Sequence, residues 1–197
     1  MTDLAWATLS SPVGPLAVGC SPAGVARLDF RAPGGAGRRE ARHASTGPAS
    51  TGPASTGPAS PGPASPGLLS AARDQLAEYF AGQRRVFDLP VDWSGCSRAQ
   101  QQVLSVLYDS VGYGETVTYG ELAQRAVAGP DGISLPARAI GRIMGSNPLP
   151  LIVPCHRVVA GNGLGGYSGG TGIEIKRWLL IFEGALPATL DWSPAGA

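Results

Sequence analysis

Short apolar runs alternate with turn residues over the first thirty positions. SPVGP and CSPAG interrupt residues 4–30, and that spacing predicts a β-meander of hairpins. The period then changes. In LLSAARDQLAEYFA (68–81), Leu69, Ala72, Leu76, Tyr79 and Phe80 fall on one helical face. Residues 98–110 repeat the pattern with Val103, Leu104, Val106 and Leu107. In GYGETVTYGELAQRA, Gly112 and Gly114 predict a turn, Thr118 an N-cap, and Glu121 the far end of a capping box. A second short helix is expected from Pro136 or Ala137 to Gly145–Asn147. Two short helices with a Gly-containing loop between them suggest a helix-turn-helix unit. IEIKRWLLIFEG predicts a last helix from about Gly172 to Glu183, closed by Gly184. Strands in front and helices behind make the fold class α+β.

Composition divides the chain further. Gly and Pro supply 47 of 197 residues, in two unlike concentrations. Residues 44–67 carry the repeat STGPA-STGPA-STGPA-SPGPA-SPG, with no charged or aromatic residue. Such a tract buries too little apolar surface to offset its ordering entropy, and reads as a flexible linker. Residues 129–172 hold 11 Gly and 5 Pro interleaved with ARAIGRIMGSN, PLPLIVPC and GGYSGG. This reads as a shaped loop system. No apolar run reaches the roughly 18 residues that a membrane span needs. MTDLAWATLS lacks a basic region followed by an apolar core, so no secretory signal is visible. Cys20, Cys96 and Cys155 are too few and too scattered for a disulfide framework, which points to a reducing, cytoplasmic setting.

Formal net charge is +1, which excludes a strongly basic footprint over the whole chain. Residues 132–173 nevertheless contain Arg138, Arg142 and Arg157 and no acid. That window either faces phosphates or reflects Arg-rich usage alone, since Lys176 is the only lysine. The chemical centre is NPLPLIVPCHRVV (147–159), where Cys155 lies between Pro154 and His156. A thiol needs a neighbouring base to become a nucleophile. Adjacent residues on a strand point to opposite sides, so contact with His156 needs a turn at Pro154 or a bridging water. Glu183 is a candidate to orient the histidine. From the residues alone, Cys155 is either a nucleophile or a packed thiol beside a satisfied histidine. No C-x-x-C or H-x-x-x-H spacing exists, so no metal site is expected. GNGLGG (161–166) is only a weak phosphate-loop signal.

PCHRVV, with Asn147-Pro148 before it and GGYSGG after it, resembles the O6-alkylguanine-DNA alkyltransferase family, the methylated-DNA–protein-cysteine methyltransferases. The resemblance extends over nearly the whole chain through SSPVGPLAVGCSPAGVARLDF, QLAEYFAGQRRVFDLPVD, YGETVTYGELA, PARAIGRIMGSNP and KRWLLIFE. It implies an N-terminal ribonuclease-H-like α/β domain at 1–92, with a flexible insertion at about 31–67. A winged-helix-like domain carrying the helix-turn-helix follows at 93–190, then a tail at 191–197. It implies single-turnover transfer of an alkyl group from O6-alkylguanine in double-stranded DNA to Cys155. The protein would act as a monomer, without cofactor or metal. O4-methylthymine is a further candidate substrate.

By position, the resemblance gives His156 the role of base through a water, with Glu183 orienting it and Asn147 bracing the turn. Tyr119 would donate to the flipped base. Tyr167, Ser168, Gly169 and Met144 would line its pocket, and the main chain of Cys155 and Val158 would read its edge. Arg138 would take the extruded nucleotide's place in the stack. Ala137, Ala139, Gly141 and Arg142 would complete a helix lying in the minor groove. The chain departs from the family at Ala99 and Leu104, where aromatic residues are common. About five residues within VAGPDGISL look inserted, the Cys/His set of zinc-binding members is missing, and no fused regulatory domain is expected. The competing readings are a non-catalytic alkylated-base binder, whose relatives replace the acceptor cysteine, a helix-turn-helix regulator and a Cys-His hydrolase.

Overall fold

A computed structural model describes residues 4–30, 66–128, 132, 134–169 and 172–188. The expected insertion up to residue 65, the 191–197 tail and parts of the stretch before Arg138 lie outside the described residues.

The front of the chain forms the expected antiparallel meander: β1 (Ala5–Leu9), β2 (Leu16–Ser21) and β3 (Gly24–Phe30), paired in chain order. The middle strand β2 is buried along its whole length, beneath α1 (Pro66–Phe80). Helix α1 starts inside the last unit of the repeat. Ala72, Leu76 and Tyr79 are its fully buried stripe. Its end is set by Gly82 (φ +72°): the N–H groups of Gly82 and Gln83 donate back to the carbonyls of Tyr79 and Glu78 at 3.0 and 2.9 Å. β3 makes two further attachments. Val25 N–H donates to Pro90 O at 2.8 Å, an approach that works because Gly24 has no side chain; a Cβ there would sit 2.5 Å from the same oxygen. Leu28 N–H donates to Pro148 O at 2.8 Å and ties the sheet to the turn that carries Cys155.

The rest of the described chain is helical around a two-stranded parallel ladder, β4 (Val117–Thr118) with β5 (Val158–Val159). α2 (Arg98–Ser110) opens on a Ser97–Gln100 capping box and buries Val103, Leu104 and Leu107. Leu104 is fully buried, so leucine fills the core at the place where the resemblance leads one to expect an aromatic residue. α3 (Tyr119–Ala128) opens on the expected capping box. Thr118 Oγ1 accepts from Glu121 N–H at 3.2 Å, and Glu121 Oε2 accepts from Thr118 N–H at 2.8 Å. α4 (Ala137–Gly145) packs on α3 and α2, as the helix-turn-helix reading requires. α5 (Ile173–Phe182) ends where Gly184 (φ +79°) and Ala185 donate to the carbonyls of Ile181 and Leu180 at 3.0 and 2.8 Å. One apolar core runs through sheet and helices together, from Leu16 and Leu76 to Leu104, Leu149 and Leu179. No helix among the described residues is long and apolar enough to cross a membrane.

Candidate active site

The turn at 147–157 builds the site. Asn147 braces it from within: Nδ2 donates to Val153 O at 2.9 Å and Oδ1 accepts from Leu149 N–H at 3.0 Å. Leu151, buried, is held at φ +72°, a region that costs a branched side chain of order 1–3 kcal/mol. Cys155–Arg157 is then one turn of 3₁₀ helix rather than a strand. That removes the strand alternation that would have set Cys155 and His156 on opposite faces.

Behind the thiol, four donor atoms converge on Glu183. Its Oε1 accepts from Tyr79 Oη at 2.7 Å, His156 Nε2 at 3.0 Å and Arg157 Nη2 at 2.9 Å, while Oε2 accepts from Arg157 Nε at 2.8 Å. The side chains of His156 and Glu183 are wholly buried. Burial pushes the Glu183 pKa up, but the hydrogen bonds from His156 and Arg157 overrule it and hold the group well below the usual carboxylate range. For His156 burial dominates and lowers the pKa, so the ring is neutral. With Nε2–H given to the carboxylate, Nδ1 is the free acceptor; it has no hydrogen-bond partner among the described residues. Cys155 is buried and its pKa is raised by desolvation, so the resting sulfur is a thiol. The Asn147 amide, the Lys176 ammonium and the Tyr167 hydroxyl all favour the thiolate once it forms. That hydroxyl makes no well-formed hydrogen bond among the described residues, so its effect on the sulfur is the weakest of the three.

In front of the thiol is a cavity of about 600 Å³. Cys155, Tyr119, Tyr167 and Ser168 form one wall, and Ala137, Arg138, Gly141 and Met144 of α4 the other. Ser168 Oγ donates to Gly145 O at 3.1 Å, and Tyr119 Oη to Gly166 O at 3.3 Å, so both walls are tied to the Gly-rich loop. Arg138 and Arg142 are exposed and have no carboxylate partner among the described residues. Helical spacing separates the remaining expected residues from this wall. Ala139 and Arg142 do not line the cavity, whereas 137, 138, 141 and 144 share its side of α4. Asn147 and Gly169 line an adjacent crevice instead.

Val158 departs from expectation. It is fully buried outside the cavity, its N–H goes to Cys155 O, and its carbonyl accepts from Lys176 Nζ at 2.6 Å. Only a second lone pair on that carbonyl is left to meet a base.

Lys176, Arg157 and Tyr79 were not among the expected site residues. Lys176 is wholly buried, with burial lowering its pKa to about 8, and bridges Val158 O and Gly166 O. Its signal was available: Ile175, Lys176, Leu179 and Leu180 share one buried face, so the only lysine sits where an apolar residue belongs. Tyr79 carried a weaker signal, a hydroxyl on a buried face that needs a partner.

Fold and site together define an α+β protein with a sheet-bearing front, a helical back, and a cavity-lining thiol next in sequence to a buried imidazole–carboxylate pair. Residues 4–93 match the family model described as "6-O-methylguanine DNA methyltransferase, ribonuclease-like domain", and residues 98–185 match the "6-O-methylguanine DNA methyltransferase, DNA binding domain". The chain is 45% identical over 115 residues to a methylated-DNA–protein-cysteine methyltransferase of Mycobacterium tuberculosis (strain H37Rv), covering 58% of this chain and 64% of the relative. It therefore spans just under two thirds of that relative's length. A protein of Thermus thermophilus named "DNA base-flipping protein" is 36% identical over 183 residues, 90% of this chain and 99% of the relative. The crystal structure of Mycobacterium tuberculosis OGT in complex with DNA superposes with a TM-score of 0.65 at 34% identity, covering 91% of this chain and 92% of that one. The chain belongs to the 6-O-methylguanine DNA methyltransferase family.

Proposed function

We propose that the protein repairs double-stranded DNA by moving an alkyl group from guanine O6 to Cys155, once per molecule. One observation carries the reading: Cys155 lies on the wall of a cavity of about 600 Å³, and its neighbour in the same 3₁₀ turn is the neutral His156, bonded to Glu183. A base in a duplex is out of reach of such a thiol, so the nucleotide must be extruded at a cost of a few kcal/mol. Arg138, exposed at the cavity mouth, fills the gap in the stack, while Ala137 and Gly141 let the α4 backbone approach the minor groove.

The thiol proton passes through a water to His156 Nδ1, and Glu183 stabilises the imidazolium. The sulfur attacks the alkyl carbon in line. The S–C bond forms, the C–O6 bond breaks, and its electron pair leaves with the guanine. Tyr119, kept protonated by burial, donates a proton or hydrogen bond to the departing base. The thioether has no easy route back to thiol, which makes the reaction stoichiometric. O4-methylthymine has the same O-alkyl chemistry and is a further candidate substrate. We further propose that the unit at 1–92 and the unit at 93–190 act as one monomer in the cytoplasm, where thiols stay reduced.

A second reading, a non-catalytic binder of alkylated bases, is favoured by the similarity to the protein named for base flipping. The two separate in one experiment: incubation with a duplex carrying O6-methylguanine, followed by intact mass. Gain of one methyl on Cys155, absent in Cys155→Ser, supports transfer. Tight lesion binding with no mass gain supports the binder.

A further inference from the structure

Oε1 of Glu183 is crowded. It accepts from Tyr79 Oη at 2.7 Å, Arg157 Nη2 at 2.9 Å and His156 Nε2 at 3.0 Å, while Oε2 accepts from Arg157 Nε at 2.8 Å. The two bonds from Arg157 already fix the plane of the carboxylate, and the guanidinium is itself anchored on Val111 O at 2.8 Å. Tyr79 is therefore not needed to orient Glu183. Its hydroxyl instead draws on the same oxygen that supports the histidine.

That hydroxyl has no other use. Tyr79 is fully buried on α1, and its ring is enclosed by Phe80, Phe87, Tyr113 and Phe182, with centroids 5.1 to 6.2 Å away. Burial and the Glu183 charge push its pKa up, so it stays a donor. The other polar groups facing the pair are engaged elsewhere or stand apart. Tyr113 Oη donates to Phe182 O at 3.3 Å, Lys176 Nζ is held by Val158 O and Gly166 O, and Tyr167 Oη makes no hydrogen bond among the described residues. For His156, burial, Arg157 and Lys176 lower the pKa, and Glu183 raises it. A donor that spreads the Glu183 charge weakens that opposing pull.

A single-use thiol makes such restraint useful. Cys155 lines an open cavity, and each molecule that reacts with a stray electrophile is lost for repair. We propose that Tyr79 is a positioning residue that restrains His156 through Glu183, keeps Cys155 a thiol between encounters with DNA, and so reserves the sulfur for an electrophile that the cavity holds in line. The inference rests on the alkyl-transfer reading above, with His156 as the base. A held substrate gains from proximity what the restrained base gives up, whereas a soluble electrophile does not.

The test is the pH profile of the reaction of Cys155 with iodoacetamide, read by peptide mass, in the wild type, in Tyr79→Phe and with 3-fluorotyrosine at position 79. In that reaction the S–C bond forms, iodide leaves with the electron pair, and the thiol proton passes to His156. Tyr79→Phe removes the donor and keeps the ring in its aromatic surround. Its acid-limb midpoint is expected to rise by about one pH unit and its plateau by about ten-fold, because a pKa difference of one is a factor of ten in the thiolate–imidazolium population. At low pH, where His156 is already protonated, the two profiles coincide. Fluorine makes the hydroxyl a stronger donor at nearly constant volume, so there the midpoint and plateau are expected to fall. The chain has two histidines, so ring-nitrogen NMR follows the His156 midpoint directly in each protein. A merely structural Tyr79 would lower the plateau of both variants and leave the midpoint in place. That result, an unchanged profile, or shifts of the same sign in both variants overturns the proposal. Absence of methyl transfer by the wild type from an O6-methylguanine duplex overturns the underlying reading instead.

Discussion

Glu183 is where the chemistry of single residues meets the stability of the whole. Its carboxylate is wholly buried, yet both oxygens are occupied by donors of three residues from two separate parts of the chain, α1 and the 3₁₀ turn. Glu183→Gln removes the charge that Arg157 and His156 both use. Breaking one side of a buried pair costs about 3–5 kcal/mol, and losing the support of a general base slows transfer by about 10²-fold. Denaturant unfolding and single-turnover kinetics measure the two separately. Acid sensitivity follows from the same cluster. The folded-state pKa of His156 lies below its ordinary 6.5, so at pH values under 6.5 the unfolded chain binds a proton that the folded chain refuses. Stability is therefore full above that value and falls as pH drops through it. Glu183, with its pKa depressed, adds a further loss as pH falls through the ordinary carboxylate range near 4.3. A Tm measured between pH 7.5 and 4 should fall continuously, and His156→Asn should flatten the upper part of that curve.

Among the elements, the helices were the most legible. Their apolar stripes and end signals mark α2 to the residue, α5 to within one, and α4 within the one- to two-residue range expected at each end. The meander was equally plain from its turns. What periodicity does not give is the path between elements. The 3₁₀ turn at Cys155–Arg157 is set by Asn147 bonding the main chain on both sides of an unfavourable Leu151, a tertiary arrangement with no sequence period. The Gly-rich loop behaves the same way. Gly165 has φ +70°, and a Cβ there would lie 2.9 Å from Tyr119 Cε2. Gly165→Ala is therefore expected to destabilise the protein by about 1–3 kcal/mol and to slow transfer more than a remote change of equal stability cost, because it displaces Tyr119. Comparison with Gly161→Ala, which meets nothing within 4 Å and has no positive φ, isolates the effect.

At the scale of the molecule, two properties that looked unpromising in sequence become functional ones. The net charge of +1 disfavours a broad basic surface, and exposed Arg138 and Arg142 leave a small electrostatic footprint around the cavity. DNA affinity should therefore fall only shallowly with salt, with a log–log slope for about two or three phosphates and not the slope near −10 of a large repressor. Fluorescence anisotropy over a range of salt concentrations measures it. The second property is the long-range wiring. Tyr79 of α1 reaches Glu183, and Leu28 of β3 reaches Pro148, so the front of the chain supports the site at the back. Neither link was legible, because residues 104 or 120 positions apart share no local pattern. The motif residues Cys155 and His156 were legible as a pair, but their relation through Glu183 became definite only in three dimensions. The central claim is that Cys155 accepts an alkyl group from DNA, and intact mass spectrometry after incubation with an O6-methylguanine duplex tests it most directly. The expected result is one added methyl per protein molecule, located on Cys155, with no further turnover. An unchanged mass with full occupancy of the lesion, or repeated turnover by one molecule, would contradict it.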